Sequence, residues 1–208
     1  IPSYESSIEA GNLDDDVKKI RECDWVIEVV VEKMEIKKRL FSEKVAPNLK
    51  EGAILSTNTS GLSVNEMAES LPEAVRKNFL ITHFFNPPRY MRLLEIVPNR
   101  DTDPEVVRFM AGFIEKRLGK GIVYAKDTPN FIANRIGVHS ICNSMRHMIE
   151  MELTVEDVDA VAGPATARPK SAIFRTADLV GLDTLQHVAD NAYETLVKDE
   201  QREVFRLP

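Results

Sequence analysis

Residues 82–95 read THFFNPPRYMRLLE, with His83 and Glu95 at the inner ends of two apolar runs. In a hairpin centred on Arg89, Phe85 pairs with Leu93. The sum of paired positions is constant in an antiparallel ladder, so His83 then lies opposite Glu95. Side chains alternate along a strand, so both would share one face. A carboxylate beside an imidazole fixes its tautomer and favours the protonated ring, which is what a general base needs as it accepts a proton. The same spacing also suits a plain polar pair at a sheet margin, and spacing alone leaves both readings open.

Other residues of chemical interest are scattered along the chain. STNTSG (56–61) follows an apolar strand pattern, the place where open α/β sheets bind ligands. Asn58 and Ser60 can donate or accept hydrogen bonds there, or can satisfy their own turn. In DTPNFIANR (127–135), Asn134 sits near a change of architecture, where ligand clefts are common. A helical asparagine is equally at home in solvent. Glu32 and Lys37, at and just beyond the end of an apolar run, suit a phosphate or ribose, or simply a solvated sheet edge. His139, His147 and His187 fall in helical patterns without partners at metal-ligand spacing, and no metal site is expected.

The elements that must position these groups follow from periodicity. DWVIEVVVE (24–32) is a valine-rich run of the kind found in a central parallel strand. Met34 to Leu49 suggests an amphipathic helix broken near Pro47. AILST (53–57), FLITHFF (79–85), LLEIVP (93–98) and GIVYA (121–125) are strand-like. Ser63 and Glu66 predict a capping box for a helix through Leu71. Asp103 before Pro104 opens a helix that Gly119 ends. This alternation predicts an α/β sheet with helical crossovers. From Asp127 the pattern becomes wholly helical, starting with an Asp-Thr-Pro signal and continuing with a capping pair at Thr154 and Asp157. The expected organisation is an α/β domain over 1–126 and an all-α domain over 127–208.

Composition narrows the function. The chain has 208 residues, with 27 Lys and Arg against 33 Asp and Glu, a net charge of -6. A nucleic-acid binder normally carries excess positive charge, so nucleic acid is not an expected partner. No apolar run reaches the roughly 18 to 20 residues that span a bilayer, so no membrane insertion is expected. Cys23 and Cys142 lie far apart, outside any disulfide or zinc pattern, which suits a reducing cytosol or organelle matrix, and a cytoplasmic location is expected.

Together the blocks DWVIEVVVE, STNTSGLSV, HFFNPPRYMRLLEIV, KDTPNFIANR and ADLVGLDT resemble the L-3-hydroxyacyl-coenzyme A dehydrogenase family over nearly the whole chain. The resemblance implies a Rossmann-type NAD-binding domain followed by a helical domain. It implies NAD-dependent oxidation of L-3-hydroxyacyl-CoA to 3-ketoacyl-CoA in fatty-acid β-oxidation. A short-chain 3-hydroxybutyryl-CoA dehydrogenase and a non-catalytic relative are the alternatives. By the resemblance His83 is the catalytic base and Glu95 its acidic partner. Ser60 and Asn134 hydrogen-bond the reacting substrate, and Asn86 lies near nicotinamide and substrate. Glu32, Lys37 and Asn58 are placed on the cofactor side.

Two departures from the family pattern carry expectations of their own. No Gly-x-Gly-x-x-Gly turn occurs between a strand and a helix; the GKG at 119–121 follows a helix and precedes a strand. The NAD-binding domain is therefore expected to be partial, lacking its first βαβ unit, and this piece alone to bind NAD poorly and to be inactive. GPATARPKSAIFRTADLVGLD (163–183) resembles longer relatives, so a homodimer or a fusion with further helical or enoyl-CoA hydratase modules is expected.

Overall fold

The computed structural model describes residues 4–207 and divides the chain into two compact units, Ile1–Asp127 and Thr128–Pro208. The first unit is built on a five-stranded sheet in the order β1 (Trp25–Glu28), β2 (Ile54–Thr57), β3 (Phe79–Phe84), β4 (Leu93–Pro98) and β5 (Gly121–Tyr124). β1 to β3 are mutually parallel, β4 runs antiparallel to β3, and β5 is parallel to β4. Every residue of β2 is buried, as are five of the six in β3, which explains their continuous apolar character.

Alternation sorts the side chains onto two faces. Leu80, Leu94 and Ile96 share a core with Met110, Ala111 and Ile114, carried by α4 (Pro104–Phe113) and the wider turn that extends it. On the opposite face lie Leu55, Phe79 and Ile81, with the Phe79 ring edge-on to Phe41 at 5.3 Å. Each such side chain contributes about 1.5–3 kcal/mol when fully buried. α4 starts at Asp103, whose carboxylate accepts from the Glu105 amide at 2.8 Å, and the helical segment ends at Gly119 with φ of 64°. Glycine takes that left-handed conformation without a Cβ penalty.

Several expectations need correction. The run at 24–32 is a strand only over Trp25–Glu28, and it forms an edge of the described sheet rather than its centre, with Val29 and Val31 exposed. The chain turns out of the sheet because the Glu28 carboxylate captures the Val30 amide and the Lys33 amide donates to the Val31 carbonyl. The helix after it is short, α1 (Met34–Leu40), and passes through a wider turn into Pro47. α2 (Val64–Ala68) has half of its expected box: Ser63 accepts from the Glu66 amide, but the Glu66 carboxylate pairs with Lys38. α3 (Glu73–Arg76), a single turn before β3, has no periodicity from which to read it.

Asp-Thr-Pro at 127–129 does not start a helix. The Asp127 carboxylate instead accepts from Ser63 Oγ (2.7 Å), the Val64 and Asn65 amides (3.1 Å each) and Asn65 Nδ2 (2.6 Å), capping α2. Asn130 and Phe131 have positive φ, and the helix begins later, as α5 (Ala133–Glu150).

The second unit continues with α6 (Val155–Val161), α7 (Phe174–Val180) and α8 (Leu182–Thr195), and no strand follows β5 among the described residues. Thr154 and Asp157 form the expected reciprocal box. Asp159 on α6 receives the Ile173, Phe174 and Arg175 amides and so caps α7. The core joins Val138, Cys142, Ala177, Leu185, Ala189, Ala192, Leu196 and Phe205, where alanines permit close helix approach. Burial pushes the Cys142 thiol up to about 11. No helix among the described residues is long and apolar enough to cross a membrane.

Candidate active site

β3 and β4 fix the first pair. Their register places His83 opposite Glu95, as the hairpin arithmetic expects, with Phe84 opposite Leu94. His83 Nδ1 lies 2.7 Å from Glu95 Oε2, and the two residues are 3 % and 0 % exposed. An ionised carboxylate only accepts, so Nδ1 is the donor in this contact, and whenever the ring is neutral Nε2 is its acceptor atom. The Phe85 ring lies 4.5 Å from the imidazole, centroid to centroid, and restrains its tilt.

The loop after β2 supplies the next groups. Asn58 donates its amide to the Glu28 carbonyl at 2.9 Å, and its side-chain oxygen accepts from the Phe84 amide at 2.8 Å. It thereby ties this loop to the strand that carries His83. Ser60 is half-buried, and its amide donates to Glu32 Oε1 at 2.8 Å. Thr59 Oγ1 donates to the same oxygen.

Glu32 and Lys37 come together with a residue that sequence reasoning missed. Lys37 is 1 % exposed and donates to both oxygens of buried Glu28, at 2.8 and 2.9 Å, while Glu32 Oε2 lies 3.3 Å away. Thr57 Oγ1 donates to Glu28 at 2.6 Å. A glutamate inside a valine run, nine residues before a lysine, was the available signal for Glu28. The Glu32 side chain keeps 40 % of its surface exposed.

Within the first unit, His83, Glu95, Asn58, Ser60, Glu32 and Lys37 thus gather around the carboxyl ends of β1 to β3. Asn86 follows β3 on an exposed loop, next to a cis Asn86-Pro87 peptide bond. Asn134 belongs to the second unit, half-buried in the first turn of α5. Among the described residues no group of three or more His, Cys, Asp or Glu side chains is placed to hold a metal ion.

A parallel-dominated sheet with polar groups collected beyond its strand ends, followed in the chain by an all-helical unit, defines a two-domain protein of the doubly wound α/β class. The chain belongs to the 3-hydroxyacyl-CoA dehydrogenase family: residues 2–128 match the family model described as its NAD binding domain, and residues 131–206 match the model of its C-terminal domain. A probable 3-hydroxyacyl-CoA dehydrogenase of Bacillus subtilis is 53% identical over 203 residues, covering 98% of this chain and 26% of that protein. Another, from Deinococcus radiodurans, is 48% identical over 193 residues, covering 93% of this chain and 56% of that protein. The crystal structure of FadB2 from M. tuberculosis superimposes with a TM-score of 0.83 at 30% identity, covering 93% of this chain and 65% of that one. This chain therefore spans about a quarter and somewhat over half of the two relatives' lengths.

Proposed function

We propose that the complete protein oxidises L-3-hydroxyacyl-CoA to 3-ketoacyl-CoA with NAD, in fatty-acid β-oxidation, and that His83 is the general base. The observation that carries this reading is the buried 2.7 Å contact between His83 Nδ1 and Glu95. In this reading Nε2 takes the proton from the 3-hydroxyl, while Glu95 holds the ring through Nδ1 and stabilises the imidazolium that forms. NAD, when bound, supplies the hydride acceptor for C3. Ser60 and Asn134 orient the substrate by hydrogen bonds to its reacting oxygens and help the developing carbonyl. Asn86 serves substrate and nicotinamide side together.

Residues 1–127 are then part of the cofactor domain, and 128–208 the helical domain, one residue later than the pattern change suggests because Asp127 caps α2. Glu32 fits a ribose hydroxyl, because its carboxylate is held through Oε1 by the Ser60 amide and through Oε2 by Lys37 and still remains partly exposed. Asn58 shapes the same side by holding the loop. Lys37, at 1 % exposed, serves the cofactor through Glu32. The pyrophosphate-binding turn lies outside these residues, and further helical or hydratase modules, or a second copy, complete the assembly. A cytoplasmic setting suits the free thiols.

Spectrophotometric assay of the complete protein with NAD tests the reading. L-3-hydroxyacyl-CoA is expected to be oxidised and the D isomer left untouched. A chain-length series then separates long-chain substrates from 3-hydroxybutyryl-CoA. Absence of NADH formation with every L thioester would reject the proposal.

A further inference from the structure

Glu28 has no part in the chemistry above, yet its carboxylate is elaborately committed. It lies at the end of β1, 4 % exposed, and accepts from Lys37 Nζ through both oxygens, from Thr57 Oγ1 and from the Val30 amide. Burying two opposite charges gains little stability over an apolar pair of the same volume, because desolvation offsets their attraction. Stability alone is thus a weak account of this pair.

Its connections suggest a stronger one. Lys37 Nζ reaches onward to Glu32 Oε2 at 3.3 Å and to the Val30 carbonyl at 3.4 Å. Glu32 turns its other oxygen to Thr59 Oγ1 and, at 2.8 Å, to the Ser60 amide. A second strand of bonds runs from Glu28 through Thr57 Oγ1 to the Thr59 amide at 3.3 Å. Both routes start at the buried end of β1 and finish in the loop that carries Ser60.

We propose that Glu28 is a positioning residue for this loop: through Lys37 and Thr57 it fixes Glu32 and the Ser60 backbone, so that both meet their ligands in one arrangement. The inference rests on the reading of Ser60 and Glu32 as ligand contacts. Charge-assisted bonds suit this role, since they are short and directional. In Glu28→Gln, Glu32 becomes the anionic partner left to Lys37, and the pair is drawn together and away from Thr59 and Ser60.

The test uses the complete protein, assayed well below each variant's melting temperature. Glu28→Gln is expected to lower kcat/KM for L-3-hydroxyacyl-CoA by about 10- to 100-fold, since misplacement by about 1 Å has that effect. The loss falls chiefly in kcat, because the coenzyme A moiety still binds. Thr59→Val, which removes the far end of the bridge and no charge, shifts kcat in the same direction by a smaller factor. A purely structural role would lower the melting temperature and leave kcat/KM of the folded enzyme unchanged, and that result in Glu28→Gln overturns the proposal. Should Glu28→Gln fail to fold, unchanged kcat/KM in Thr59→Val overturns it. An inactive wild-type protein would instead reject the underlying dehydrogenase reading, and this inference with it.

Discussion

Glu95 and His83 form one hydrogen-bonded unit, 2.7 Å apart and shielded from water, and in the proposed reaction the imidazole moves the proton while the carboxylate holds the imidazole. Glu95→Gln preserves shape and removes the counter-charge for the imidazolium. It is expected to lower kcat by at least about 10²-fold while the circular dichroism spectrum stays native. Wild-type kcat in the folded variant would reduce Glu95 to a structural residue. His83 and Glu95 were legible in the sequence because a two-residue period and a constant sum of partners relate residues on adjacent strands. Glu28 was not, since its meaning depends on Lys37 and Thr57, which approach it from different elements.

At the scale of elements, patterns that act locally were readable. β3 and β4, the Asp103 cap with Pro104, and the Thr154 and Asp157 box all stand where periodicity and capping chemistry put them. Asp127 misleads because its carboxylate has two helices within its options, and it caps α2, more than sixty residues earlier in the chain, instead of opening α5. Asp127→Ala leaves those donors without their acceptor and is expected to destabilise the first unit by about 1–3 kcal/mol, read from urea unfolding. No change in the midpoint would show the cap to be replaceable by water. In the helical unit, Cys142 is buried and its thiol stands near 11 against an ordinary 9.0, so it is protonated at pH 8. Exposed Cys23 is expected to alkylate quickly there, and Cys142 to react after denaturation; equal rates would contradict the helical core. Because the folded state binds that proton more tightly, Cys142 favours folding below about pH 9, and the advantage fades as pH rises towards about 11.

At the scale of the whole molecule, these 208 residues hold the His83 and Glu95 pair proposed to handle the proton and the strand ends around it, while no glycine-rich strand-to-helix turn is present in the sequence. Backbone amides at such a turn provide most of the grip on a dinucleotide's pyrophosphate. Calorimetric titration of this chain with NADH is therefore expected to give a dissociation constant weaker than about 1 mM, against far tighter binding by the complete protein. Sub-millimolar binding by the 208-residue chain would show that the remaining contacts suffice. The central claim is the base itself, and the most direct measurement compares steady-state NADH formation from L-3-hydroxyacyl-CoA by the complete protein and by its His83→Gln variant. A fall in kcat of about 10²- to 10⁴-fold with unchanged thermal unfolding is the predicted result. Near-normal turnover in the folded variant would contradict it.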